Sequence, residues 1–297
     1  MRMRIFFFVT LAAIFWAMGT QAKTVTDQLG RQFEVPETPR RVVALAPNIT
    51  EIVFALERQD ALVGVSRFSD YPKAAQNLPK VGSYVHLDLE RIVALQPDLC
   101  IAIKDGNPKA VADRLELMGI PVYAVDPKGL GTMLTTVSEI GRLLNADRIA
   151  RRLVSDLEQR VARVDRLVAK AAYKPRVFFQ IGISPIVSAG SRTFINELIV
   201  RAGGVNLARG AISYPRFSTE QVLSLAPEVM IITSMARVGV FKEVKSNWMK
   251  WKMMPAARDQ RIYIQESNLF DRPTPRLVDG LELLTQLIHP ELYEAAP

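Results

Sequence analysis

Apolar residues along this chain follow two rhythms. Val42 to Leu45, Leu62 to Val65, Leu99 to Ile103 and Val122 to Val125 are short apolar runs, as strands buried on both faces require, and the stretches between them carry helical spacing. The alternation predicts βαβ units, and hence a parallel sheet with helices on its faces. Asn107 is placed to cap one intervening helix, with Pro108 in its first turn and Gly119 just past its end. Strand signals vanish from Leu130 to Ala172, where helical periodicity is broken by two turn-like interruptions. Asp147 to Lys170 reads as one long helix, and its apolar positions Ile149, Leu153, Leu157, Val161, Val164, Leu167 and Val168 suit either a coiled-coil arm or packing along two lobes of one molecule. Strands return at Val177 to Ile181, Val229 to Ile232 and Ile262 to Ile264. The expected fold is therefore α/β, with two similar parallel-sheet lobes (40–146 and 173–297) joined by one long interlobe helix (147–172). Ahead of them, Thr24 to Val35 alternates around Gly30 like a short hairpin, so 23–39 forms a lead-in.

The first residues bear on compartment. A cationic start (Arg2, Arg4), an apolar stretch from Ile5 to Met18 and small residues at Thr20 and Ala22 form a secretory signal peptide, 1–22, with cleavage expected after Ala22. The stretch is shorter than the roughly 20 apolar residues of a spanning helix. No cysteine near the cleavage point offers a lipid attachment site, so a mature protein soluble outside the cytoplasm is expected. At 297 residues and 49% hydrophobic, the chain can build real cores, which excludes wholesale disorder. The net charge of +8 falls to +6 without Arg2 and Arg4, and the basic residues are dispersed rather than striped, so nucleic acid is not an expected partner. Cys100 is the single cysteine and lies within an apolar run. It reads as a buried structural thiol, which excludes a disulfide framework and a thiolate cage. With His86 and His289 the only histidines, no metal site and no cofactor are expected.

An internal repeat then emerges. Leu89 to Ile101 (LERIVALQPDLCI) matches Thr219 to Ile231 (TEQVLSLAPEVMI) at an offset of 130 residues. The register extends backwards without a gap. Ser83-Tyr84 falls opposite Ser213-Tyr214, and Asp88 falls opposite Ser218, each able to cap the following helix. In open parallel sheets ligands bind outside the carboxyl ends of the strands. Two such ends facing one another would bring Tyr84 and Tyr214 into one cleft, where aromatic faces suit a large planar guest. Glu90 and Glu220 occupy first turns, where the helix dipole alone favours a carboxylate; symmetric placement also suits them to a two-fold partner bearing arginines.

Other features weigh less. Ser184, in Gly182-Ile183-Ser184-Pro185-Ile186, makes a poor hydrolase nucleophile, because Ile186 replaces the second glycine and Pro185 removes an N–H that an oxyanion hole needs. His86 reads as an exposed loop histidine rather than a ligand. Trp248 and Trp251, in the basic SNWMKWKMM stretch, read as aromatics packed on the lobe with lysines left in water, the alternative being a membrane-facing helix.

The order and spacing of RVVALAPNITE (Arg41 to Glu51), GVSRFSDYP (Gly64 to Pro72), LERIVALQPDLCIA (Leu89 to Ala102) with Gly106-Asn107, VFFQIGISP (Val177 to Pro185) and SNLFDRPTPR (Ser267 to Arg276) resemble the periplasmic substrate-binding proteins of ABC importers. The resemblance is to the class with a rigid interlobe helix that binds vitamin B12 (cobalamin) and ferric siderophores, most of all to its cobalamin-binding members, and it spans nearly all of the mature chain. It implies a non-enzymatic, monomeric protein that carries a corrinoid to a membrane permease, with a ferric siderophore or haem as the alternative cargo. By resemblance, Tyr84 and Tyr214 stand where cobalamin binders have cleft tryptophans, and Phe68 where they have a pocket tyrosine. Asn268, Leu269, Phe270, Asp271 and Arg272 match a pocket loop reading Asp, Trp, Phe, Glu and Arg, while Glu90 and Glu220 match two permease-contacting glutamates. Ile103 replaces a further tryptophan beside the Gly-Asn turn. The siderophore alternative draws on Arg67, Arg216 and Arg272, whose charge would attract an anionic complex.

Overall fold

The structure is a computed structural model that describes residues 22–234 and 238–294; the predicted signal peptide, Ala22 excepted, lies outside the described residues. Strands β1 (Ala22–Thr26) and β2 (Gln32–Pro36) pair antiparallel as the expected hairpin. Arg31 in its turn bonds Asp27 and Glu116 and so clips the hairpin to the first lobe.

That lobe runs β3 (Val42–Ala44), α1 (Pro47–Ala55), β4 (Leu62–Val65), α2 (Leu89–Ala94), β5 (Leu99–Ile103), α3 (Lys109–Leu117), β6 (Val122–Val125) and α4 (Leu130–Leu143). Its sheet has the order β4-β3-β5-β6 and is parallel throughout. Cys100 on β5 is fully buried, and burial pushes its thiol up to about 12, which makes it inert. Asn107 does not cap α3, contrary to the sequence expectation. Pro108 holds that position without a side-chain cap, and the Asn107 amide turns inward instead. Gly119, at φ +77°, does follow the helix end.

Between the lobes runs α5 (Asp147–Val168), separated from α4 by a turn at Leu144 to Ala146, where Asn145 adopts a positive φ of 55°, and followed by a second turn at Ala169 and Lys170, the two interruptions expected between Leu130 and Ala172. The apolar face of α5 is used within the molecule: Ala150, Leu157, Val161 and Val164 are buried, with α4 against its first part and α6 and α10 against the rest. These residues join a continuous core that includes Val42 and Ile101 of one lobe and Val177 and Ile231 of the other. Each fully buried aliphatic side chain contributes roughly 1.5–3 kcal/mol, so the helix binds both lobes into one unit.

The second lobe contains β7 (Arg176–Gly182), β8 (Ile186–Ser188), α6 (Phe194–Arg201), β9 (Val205–Asn206), β10 (Arg216–Phe217), α7 (Thr219–Leu225), β11 (Val229–Ser234), α8 (Val238–Met249), α9 (Pro255–Arg258), β12 (Ile262–Glu266), α10 (Leu277–Ile288) and α11 (Glu291–Glu294). Strands β7, β9, β11 and β12 are parallel, but β8 pairs antiparallel with both β7 and β10, so this sheet is mixed where two alike parallel sheets were expected. The repeat nevertheless holds in the backbone. Asp88 caps α2 through the Arg91 N–H and Ser218 caps α7 through the Gln221 N–H. Past each helix, Gln96 and Ala226 adopt left-handed φ of 46° and 44°, each just before a proline that disfavours helical continuation.

Candidate functional site

Tyr84 lies on the loop between β4 and α2 and is half-buried. Asn107 fixes that loop to the carboxyl ends of two strands. Its Oδ1 accepts from the Ile103 N–H at 2.7 Å, while its Nδ2 donates to the carbonyls of Leu45 (3.0 Å) and Tyr84 (2.7 Å). Gly106, at φ +143°, backs the ring itself; a Cβ there would sit 2.9 Å from Tyr84 Cδ2, so only glycine allows this approach.

Tyr214 lies just before β10 and is 58% exposed. Its loop is held by Ser188 N–H to the Pro215 carbonyl (3.0 Å), by Gly190 N–H to the Ser213 carbonyl (2.8 Å) and by the Gly210 N–H on Ser191 Oγ (3.0 Å). A Cβ on Gly190 would strike the Ile212 carbonyl at 2.0 Å. The short strands β8 and β10, absent from the sequence reading, are thus what positions this tyrosine.

Burial raises the Tyr214 phenol above its ordinary pKa, with smaller contributions from Asp271 and Tyr84, so Tyr214 lies within electrostatic reach of both. Phe68, Tyr71, Val85 and Ile212 are further exposed apolar side chains on neighbouring loops. Asp271 is open to solvent yet surrounded by protein. Desolvation pushes its carboxyl up to about 6, against the opposing pull of Ser267 and Arg272.

The loop 267–272 does not line the cleft as a block. Phe270 is fully buried, edge-on to Phe179 with centroids 5.4 Å apart, so it is a core residue and the expectation that it meets a ligand is corrected. The turn Ser267–Leu269 aims it inward. Leu269 packs partly against the same core, and the Asn268 amide donates to Glu266 at 3.3 Å. The Arg272 guanidinium is already engaged, donating from Nη1 to Glu51 Oε1 (3.1 Å) and Asp70 Oδ1 (2.7 Å) and from Nη2 to the Phe68 carbonyl (3.1 Å).

Beside it is a feature the sequence reading missed. Arg276 grips the buried Glu51 with Nε to Oε2 at 2.8 Å and Nη2 to Oε1 at 2.9 Å, and its guanidinium lies 3.8 Å over the Tyr71 ring. Glu51, Asp70 and Tyr71 belong to the first lobe, and Arg272 and Arg276 to the second. This interlobe clasp neutralises two arginines with two carboxylates beside the cleft.

Glu90 and Glu220 are exposed in the first turns of α2 and α7. The Ser218 hydroxyl and a backbone N–H hold Glu220 below the usual carboxylate range, so it stays charged. His86 is exposed, with its backbone N–H on Ser83 Oγ at 3.0 Å.

Comparison with known proteins follows the same line. A family model described as "Periplasmic binding protein" matches residues 42–269. A vitamin B12-binding protein of Vibrio parahaemolyticus serotype O3:K6 (strain RIMD 2210633) is 33% identical over 253 residues, 82% of this chain and 88% of that protein. Among solved structures, the periplasmic vitamin B12 binding protein of Vibrio cholerae superposes with a TM-score of 0.74 at 27% identity, covering 88% of this chain and all of that one. A periplasmic heme binding protein from Pseudomonas aeruginosa gives 0.76 at 29% identity, covering 85% and 93%.

Proposed function

The chain belongs to the periplasmic binding protein family, and on that premise we propose that it captures a corrinoid between its two lobes and delivers it to the membrane permease of an ABC importer. It is a binding protein of the vitamin B12, haem and siderophore class, not an enzyme. The observation that carries the corrinoid reading is a cleft flanked by Tyr84, Tyr214 and Phe68 whose nearest interlobe arginines are already neutralised by Glu51 and Asp70. An anionic siderophore would need those charges free, and it would also meet Asp271; a nearly neutral corrinoid needs aromatic cover and a few polar contacts to its amide rim. Asp271 is the group of the 267–272 loop best placed to supply one.

Haem is the second reading. Two phenolic oxygens, one from each lobe, are groups able to ligate ferric iron, and a solved haem binder is among the similar structures. Calorimetric titration of the mature protein with cyanocobalamin, cobinamide, haem and ferric siderophores separates the readings. A corrinoid should bind one-to-one; heat from haem alone, with a shifted Soret band, would replace the corrinoid reading. For delivery, Glu90→Lys with Glu220→Lys should abolish corrinoid uptake while soluble binding survives, and a loss of soluble affinity would make both residues structural. Export with cleavage after Ala22 predicts a periplasmic protein whose mass begins at Lys23.

A further inference from the structure

The two tryptophans of the SNWMKWKMM stretch have different fates. Trp248 is buried and its indole N–H donates to Gln180 Oε1 at 2.9 Å. Trp251 remains 46% exposed, in a turn after α8 where Lys250, Trp251, Lys252 and Met253 are all exposed, Met253 at 94%. Among the described residues no carboxylate pairs with Lys250 or Lys252; the Lys250 ammonium donates instead to Asn247 Oδ1 at 2.8 Å. From Lys242 to Lys252 the chain sets four lysines against the single acid Glu243. A groove of about 460 Å³ lies beside the turn, lined by Thr219, Asn247, Trp248, Lys250 and Trp251. Thr219 directly precedes Glu220, so groove and turn adjoin the acid assigned above to docking.

We propose that this turn touches the anionic phospholipid surface of the membrane that holds the permease. A lipid phosphate would sit against Lys250 and Asn247, with Trp251 and Met253 in the interfacial layer. An indole places an apolar body and a polar N–H at that depth, and lysines keep their heads among anionic headgroups. A fluid anionic surface requires only charge and an amphipathic tip, and the turn supplies both, with exposed lysines beside an exposed indole and thioether. The proposal rests on the reading that the Glu220 end of the molecule faces the permease. Among the described residues no helix is long and apolar enough to cross a membrane, so the contact is peripheral.

The test is cosedimentation of the mature protein with phosphatidylglycerol-containing vesicles and with pure phosphatidylcholine vesicles, read alongside tryptophan emission. Trp16 leaves with the signal peptide, so emission comes from Trp248 and Trp251 alone, and a blue shift on binding would report Trp251. Anionic vesicles should bind at least about fivefold better than neutral ones, Trp251→Ala with Met253→Ser should lose about that factor, and Lys250→Gln with Lys252→Gln should erase the preference for anionic lipid. Equal binding by parent and variants, or no blue shift, overturns the proposal. So does a variant that loses uptake while keeping vesicle binding, since the turn would then meet protein. Glu220→Lys should keep vesicle binding, and the cargo titration does not involve lipid, so failure of the docking or cargo reading is distinguishable from failure of this one.

Discussion

In the first lobe, Tyr84 is held by its own backbone carbonyl through Asn107 and by the bare face of Gly106, whereas in the second lobe Tyr214 stands 58% exposed, its neighbours Ser213 and Pro215 accepting backbone N–H bonds from Gly190 and Ser188. The helices that follow differ far less. Both begin with a side-chain cap, carry an exposed glutamate in the first turn and end on a left-handed residue before proline. The duplicated architecture has therefore kept the outward acids alike and let the inward walls diverge. Asn107 and Gly106 preset Tyr84, Tyr214 is the more exposed of the two, and the Glu51 clasp and α5 tie the lobes together.

The clasp is where this comparison breaks most easily. Glu51→Gln leaves Arg276 and part of Arg272 without a counter-charge in a site where the Glu51 side chain is 2% exposed, and should lower unfolding free energy by about 3 kcal/mol in denaturant melts. Asn107→Ala strips partners from the Leu45 and Tyr84 carbonyls and from the Ile103 N–H. It should cost about 1–3 kcal/mol and weaken corrinoid binding by loosening Tyr84. Equal ligand affinity in parent and variant would remove the idea of a preset wall.

A smaller gain sharpens the symmetric part. Ala226→Gly and Gln96→Gly each relieve a Cβ in the left-handed region and should each raise stability by about 0.5–1 kcal/mol, by like amounts if the two helix ends are true equivalents. Smallest is a pH effect. Asp271 has a folded pKa of about 6 against an ordinary 3.8, so the folded state favours its protonated form. Its contribution is full below pH 4 and is lost as pH rises through 6, diminished by the solvent reaching the carboxyl. Melts of Asp271→Asn should lack that part of the parent's slope between pH 4 and 6.

Sequence made the framework readable where runs were long enough to carry a period. The parallel strands β3 to β6, β7, β11 and β12 stand close to their apolar runs, and Asp88 and Ser218 were recognisable as caps from position alone. Strands β8 and β10 were missed because IVS and RF are too short to show alternation, although they orient Tyr214. Asn107 looked like a cap because capping is the commonest use of an asparagine before a helix; its bonds to Leu45 and Tyr84 belong to tertiary structure. The clasp joins residues 221 and 225 positions apart, beyond any local pattern. Resemblance points Phe270 toward a pocket, and only the packing on Phe179 shows its side.

The central claim is that rings from opposite lobes grip one guest, and a calorimetric double-mutant cycle with cyanocobalamin on Tyr84→Ala, Tyr214→Ala and the double variant tests it most directly. Each single change should weaken binding by about 1–3 kcal/mol, and the pair should be coupled by at least about 0.5 kcal/mol because both contact one ligand. Unchanged affinity in both single variants would contradict it.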